Sequence, residues 1–440
     1  MALAHPRRLA AAVAVAALIA GPARADLVGH GGMVRALALS PDGTRVLTGS
    51  FDYTARLWDF VGQSAIATLD AHAGPVTSVA FVSDRAAVTA GDDGVAILWD
   101  LDPVAPRRRF VGHRAKIMDL AVSPDRRLLA TGGWDRTVRL WRLADGAALA
   151  TVALPTNVNA LAFVAGGAAL VAGGHDGMLR RIRVADGAVT DEAAGHDWGV
   201  TDLALSPDGG RLLSSSTDGT VRLWDAATLA PGRVLEGHDG PVFGVAFLAD
   251  GRSAVSVGRD GMLIHWDLDS GAILRTIEAH AAPIWAVAVT NDGRFALTAS
   301  SDERVRIWHL ATGDRIGLDV AAAADEPKPW LRRDDPGARL YRKCARCHTL
   351  AADGPRRSGP TLAGLFGRRA GSVPGYHYSA ALRGRRFVWN ARTLRALFTE
   401  GPDVYLPGTK MPMQRVPNEH ALAALIAFLR EVTAPPAGGE

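Results

Sequence analysis

The sequence predicts a multidomain chain: an all-β ring assembled from seven repeats, followed by a small all-α domain. Three observations carry that expectation. Tryptophan recurs at Trp58, Trp99, Trp141, Trp224, Trp266 and Trp308, at intervals of 41, 42, 83, 42 and 42 residues. The two cysteines, Cys344 and Cys347, fall together in one short string. Charge divides sharply: residues 26–330 hold 28 basic and 37 acidic side chains (net −9), and residues 331–440 hold 18 and 8 (net +10). With 48% hydrophobic and 21% charged residues, the 440-residue chain can fold around cores. Its 48 glycines and 6% aromatics suit tight turns and short strands, which excludes long helical bundles as the main architecture. Two cysteines exclude a disulfide framework and a four-cysteine metal site.

Residues 1–25 read as an export signal. Arg7 and Arg8 precede a 12-residue apolar run, residues 9–20, and Ala23-Arg24-Ala25 then offers a small-x-small cleavage site before Asp26. Gly21-Pro22 and the charge placement favour that reading over a buried N-terminal helix. The run is too short to span a bilayer, and no other segment approaches that length. A soluble, periplasmic mature chain without a stable membrane span is expected. Export also removes nucleic acid as a partner for the +10 segment.

Residues 26–320 hold the repeats. Ile182 fills the gap in the tryptophan series, and an Asp stands six residues before each of the seven positions: Asp52, Asp93, Asp135, Asp176, Asp218, Asp260 and Asp302. A His opens six units (His30, His72, His113, His196, His238 and His280), with Leu154 in its place in the fourth. Each unit alternates apolar residues, turns at a step such as Ser206-Pro207-Asp208-Gly209, and ends a third strand at Trp. Seven units of this period imply a seven-bladed β-propeller.

With Trp-Asp at 58–59, 99–100, 224–225 and 266–267, residues 29–312 closely resemble the WD-repeat family. The resemblance implies that the recurring His and Asp form buried hydrogen-bond networks with Trp and a Ser or Thr, rather than metal sites. Unit four lacks both network ends and is expected to be loose or remodelled. The outer strand of the last blade is expected from residues 315–320, since only residues 26–29 precede the first His after cleavage. The family's partner-binding face displays the residue before each Asp turn and the residue five after each His. Its aromatic members are Phe51, Trp134, Phe243 and Trp285. Phe51, Phe243 and Trp285 should group across the closure as a protein-contact patch. No paired carboxylates, nucleophile elbow or phosphate loop stands out here.

Residues 321–333, small, acidic and proline-containing, read as a linker, and residues 334–433 as the second domain. Asp335-Pro336 supplies an N-cap and first-turn proline for a helix that runs into Cys344-Ala345-Arg346-Cys347-His348. Cys-x-x-Cys-His is the haem c attachment signature: two thiols add to the haem vinyl groups, and the His is placed as an axial iron ligand. A redox dithiol needs a βαβ setting that is absent, and zinc needs two more ligands.

Gly359-Pro360-Thr361, Pro374-Gly375-Tyr376-His377-Tyr378, Trp389 and Gly408-Thr409-Lys410-Met411 make this domain resemble class I cytochrome c of the mitochondrial and α-proteobacterial type. The resemblance implies one covalent haem c, Met411 as sixth ligand ahead of its rival Met413, and a Pro360 carbonyl that orients His348. It also implies Tyr378 and Trp389 bonded to a haem propionate, with Arg368 nearby. Leu382 and Leu397 stand where relatives carry polar groups, which makes the distal side more apolar and tunes potential. The last helix starts at Asn418 and lays Leu422, Leu425, Ile426 and Leu429 on one stripe facing the Cys-bearing helix near Leu340 and Tyr341. Residues 434–440 read as a disordered tail.

His/Met ligation suits one-electron transfer. The first reading is therefore a periplasmic mono-haem electron carrier that docks on an acidic redox partner, with the propeller as a partner-docking scaffold. A second reading is a haem-fed oxidoreductase with its active site in the propeller. His175, His265 and His309 lie outside the repeat positions, but at different offsets. A third, a haem sensor or peroxidase, requires Met411 to dissociate. The chain reads more as a carrier than as a catalyst with its own substrate.

Overall fold

The computed structural model describes residues 26–317, 333, 335–345, 347–352, 359–374, 376, 378–379, 381–409, 411 and 414–434. The expected signal peptide, residues 321–332 of the linker, residues 435–440 of the tail, and His377, Lys410 and Met413 lie outside them. The chain divides into two compact units, the first holding Leu27–Val28 and Met33–Asp319 and the second Gly29–Gly32 and the residues from Val320 onward.

The first unit is a seven-bladed β-propeller of seven antiparallel sheets in chain order. In blade one the strands run outward as Val34–Leu39, Arg45–Ser50, Ala55–Asp59 and Ser64–Leu69. Innermost strands of neighbouring blades pack together, and that of blade seven, Ile284–Val289, meets Val34–Leu39 to close the ring. An apolar layer fills each interface between blades; Trp58, for example, packs with Leu27, Phe295 and Val305. Backbones approach closely there, so a Cβ on Gly132 would stand 2.5 Å from the Val158 side chain of the next blade. In every blade the innermost pairing slips by one residue. The slip leaves Arg35, Thr77, Met118, Asn159, Thr201, Phe243 and Trp285 unpaired. A bulge re-aims its side chain, and all seven line the central channel.

The recurring polar residues form the expected networks. In blade five Trp224 donates to Ser214 Oγ (2.8 Å), His196 Nε2 meets the same oxygen (2.7 Å), and His196 Nδ1 meets Asp218 (2.8 Å). The same chain recurs in blades two, three, six and seven. Blade four is remodelled rather than loose. Leu154 and Ile182 are buried where His and Trp stand elsewhere, and Asp176 takes a bidentate bond from Arg180 (2.7 and 3.1 Å). Glu192 lies 3.5 Å from the same guanidinium.

Closure differs from the expectation of a single C-terminal outer strand. Arg304–His309 of blade seven is edged by two short pieces. Leu27–Val28 pairs with its beginning (Leu27 to Val305) and Arg315–Ile316 with its end (Trp308 to Arg315). Residues 318–320 of the expected strand lie outside the described residues. The two pieces are joined by charge: the fully buried Asp26 carboxylate meets Arg315 (2.7 Å), Arg304 (3.3 Å) and Arg306 (3.6 Å). Two residues of ladder hold little by themselves, and the ion cluster supplies a second anchor.

The second unit is helical: α1 (Pro336–Cys344), α2 (Ala391–Glu400), α3 (Pro402–Tyr405) and α4 (Glu419–Val432). Asp335 caps α1 by accepting from Ala338 N–H, and Asn418 caps α4 by accepting from Ala421 N–H. The stripe on α4 is buried against α1, with Tyr341 and Phe428 rings 5.3 Å apart. Only glycine fits at 337, since a Cβ there would sit 2.3 Å from the Ala424 carbonyl of α4. Asn390 and Thr393 make a reciprocal capping box that starts α2. Among the described residues, no helix is long and apolar enough to cross a membrane.

Candidate haem-binding site

The end of α1 builds the site. Past Cys344 the chain turns once more, with Cys347 and His348 N–H both bonded to the Cys344 carbonyl (3.0 and 2.9 Å). That brings the His348 ring against Gly359, where a Cβ would lie 2.4 Å from its Cε1, so the close approach needs glycine. His348 Nδ1 then donates to the Pro360 carbonyl at 2.8 Å, which fixes the tautomer that keeps the lone pair on Nε2. The loop carrying that carbonyl is held by Leu362 N–H to Thr349 O (2.8 Å) and by Arg368, which donates to the carbonyls of Thr361 and Ala363 (2.6 Å each).

Cys344 belongs to an apolar cluster with Leu365, Leu397 and Phe398, against which Leu382, Phe387, Trp389 and Met411 pack. Neither cysteine is in a disulfide. Burial, reinforced by Cys347, pushes the Cys344 thiol up to about 11, so it is protonated at neutral pH. Thiol–disulfide exchange needs an accessible thiolate, and a structural zinc needs four ligands. Among the described residues no group of three or more His, Cys, Asp or Glu is placed to hold a metal ion. A protonated thiol at an apolar wall, an oriented imidazole and a nearby thioether fit a haem c better than either rival.

Tyr378 and Arg368 are neighbours in this wall. Burial raises the tyrosine and lowers the arginine, and each one's charge opposes the effect of burial on the other. Tyr378 Oη accepts from Val373 N–H (3.2 Å), and Trp389 stands beside Phe387 (4.9 Å between centroids).

On the propeller face, Phe243 and Trp285 stack at 4.2 Å and 16°, with the Arg35 guanidinium 4.6 Å over Trp285. Trp134, 38% exposed, donates to Asn159 (3.0 Å) and carries the Lys116 ammonium 3.5 Å over its ring.

Sequence reasoning missed one feature. Asp119 and Asp202 both face the channel, in a cavity of about 270 Å³. Each ties two blades together: Asp119 accepts from Leu161 N–H (2.8 Å) and Asp202 from Val245 N–H (3.0 Å). They stand 83 residues apart, but both lie six residues after the His of their unit. The other units have Ala, Ser or Gly there, and that exception was the available signal.

Comparison with known proteins matches this geometry. The family model described as "WD domain, G-beta repeat" matches residues 22–59, 63–100, 105–142, 189–225, 230–267 and 271–309, passing over blade four. The "Cytochrome c" model matches residues 335–433. Cytochrome c of Sesamum indicum is 41% identical over 99 residues, 22% of this chain and 88% of that protein. Cytochrome c of Gibberella zeae is 42% identical over 98 residues, 22% of this chain and 92% of that protein. That of Nigella damascena is 40% identical over 99 residues, 22% of this chain and 88% of that protein. The chain belongs to the WD-repeat family through its propeller and to the cytochrome c family through residues 335–433.

Proposed function

We propose that the protein is a periplasmic mono-haem c-type cytochrome that transfers single electrons, with its propeller as a docking scaffold for a protein partner. The observation that carries this reading is the His348–Pro360 bond beside Cys344, Cys347 and Met411. Cys344 and Cys347 would hold the haem covalently, and His348 and Met411 would be its axial ligands. When bound, the haem supplies a one-electron Fe(III)/Fe(II) couple. Pro360 keeps the His348 lone pair on Nε2, the nitrogen that would hold the iron, and Leu365, Leu397 and Phe398 would exclude water from the haem, which favours a high potential. The +10 charge of residues 331–440 suits an acidic redox partner, whose encounter it would accelerate.

An optical and EPR spectrum of exported, matured protein with a pyridine haemochrome count tests the reading. One haem c, a low-spin ferric signal and a Met-to-iron charge-transfer band that Met411→Ala removes are expected. A second chromophore, or high-spin iron that binds cyanide rapidly, rejects it.

A further inference from the structure

The channel cavity has a charge imbalance that the haem reading does not use. Its wall carries the carboxylates of Asp119 and Asp202 and the guanidinium of Arg35, one positive charge against two negative. Arg35 neutralises neither acid at contact distance: it stacks on Trp285 and makes no ion pair among the described residues. Outside the lining, burial raises Asp92, and the charges of Lys116 and Arg35 oppose that effect. Each channel carboxylate is held in place by the wall, Asp119 by Ser78 Oγ and the N–H groups of Leu120 and Leu161, Asp202 by the N–H groups of Leu203 and Val245. Burial raises Asp119 to about 7, with Asp202 adding to the effect, and raises Asp202 to about 6. At neutral pH the cavity therefore takes up either a proton or another cation.

We propose that this cavity binds a small organic monocation, its ammonium group held between Asp119 and Asp202. One added positive charge brings the wall to neutrality. Thr77 and Thr201 donate their hydroxyl hydrogens to Ile117 O and Val242 O of the next blade, which leaves their oxygens to accept further ammonium hydrogens, while Asn159 is tied at both ends, to Val200 O and Trp134. The carboxylates supply the charge recognition. At 270 Å³ the space lies at the small end of ligand pockets, which limits the ligand to a compact amine. The stacked Phe243–Trp285 pair offers an aromatic flank, and Arg35 already shows that it accepts a cation.

The test is calorimetric titration of the full-length holoprotein with ethanolamine and propylamine, each a monocation at the pH used, with glucose, glutarate and potassium chloride as controls. Saturable binding of an ammonium probe is expected at about pH 8, weakening up to tenfold per unit below about pH 7 as protons compete. Asp119→Asn should weaken binding at least about tenfold, and Arg35→Gln, which removes the resident positive charge, should tighten it by about tenfold. The opposite sign for Arg35→Gln keeps the test open if Asp119→Asn fails to fold, and a purely structural polar ring would not produce it. No binding of either amine at about pH 8, equal binding of potassium, or an Arg35→Gln affinity at or below wild type overturns the proposal. Haem content and spectra are read separately, so this failure is distinct from failure of the electron-transfer reading.

Discussion

Blades four and five adjoin in the ring and share strand order and bulge, yet they satisfy the same carboxylate in different ways. In blade five Asp218 is met by a buried His196 whose other nitrogen reaches Ser214 and, through it, Trp224. In blade four the histidine and tryptophan are gone, Leu154 and Ile182 fill their space, and Asp176 turns to Arg180. The fold tolerates loss of the network because apolar volume replaces it. It does not leave the carboxylate unpartnered, since a desolvated charge without a counterpart is costly. Arg180 is itself buried, so blade four has exchanged a neutral donor for a charge that depends on its acid.

That dependence predicts the largest effect. Asp176→Ala leaves the Arg180 guanidinium with the 3.5 Å contact to Glu192 and should cost about 2–3 kcal/mol in chemical denaturation, below the 3–5 of a fully buried pair because Asp176 is one-third exposed. Asp218→Ala removes acceptors from His196, Thr220 and the Asp197 N–H but strands no charge, and should cost about 1–2 kcal/mol. Arg180→Met, which keeps apolar volume and returns Asp176 to water, should lie within about 1 kcal/mol of wild type. If the Asp176 and Asp218 variants were equal, or Arg180→Met were the most damaging, the contrast between the blades would be wrong.

Acid should separate the blades with a smaller effect. Burial holds His238 and His265 of blade six below their ordinary value of 6.5. Folding thus favours the neutral rings: their contribution is fully present above pH 6.5 and declines as pH falls through 6.5 toward the folded values. Blade four lacks the repeat histidine, and Asp176 is held below 3.8 by Arg180 and the Met178 N–H against the opposing effect of burial, so its loss begins only below that pH. Hydrogen exchange between about pH 7 and 5, corrected for intrinsic rates, should show protection falling in blade six and constant in blade four. Equal losses would mean that the histidines are not what titrates.

How much of this was legible in the sequence follows the range of the interaction. The Trp, Asp and His of six blades sit at a fixed local spacing, so seven units could be read directly, and the WD-repeat resemblance implied their networks. The haem string and the α4 stripe were equally local. Arg180 gave no signal, because arginines stand at the same place in intact blades, where Arg306 of blade seven pairs with Asp302 (3.1 Å) beside an intact His280. The split closure was hidden because two-residue strands carry no periodicity, and its anchor joins Asp26 to residues 278 to 289 positions away. The Asp119–Asp202 pair was hidden for a related reason: a channel gathers one position from every repeat, so its chemistry is written across the period rather than along it.

The most direct test of the whole reading is the intact mass of protein exported and matured in a c-type cytochrome-producing host. A chain that begins at Asp26 and carries one covalently attached haem is the predicted result. A chain that retains residues before Asp26, or one carrying no haem or two, would contradict it.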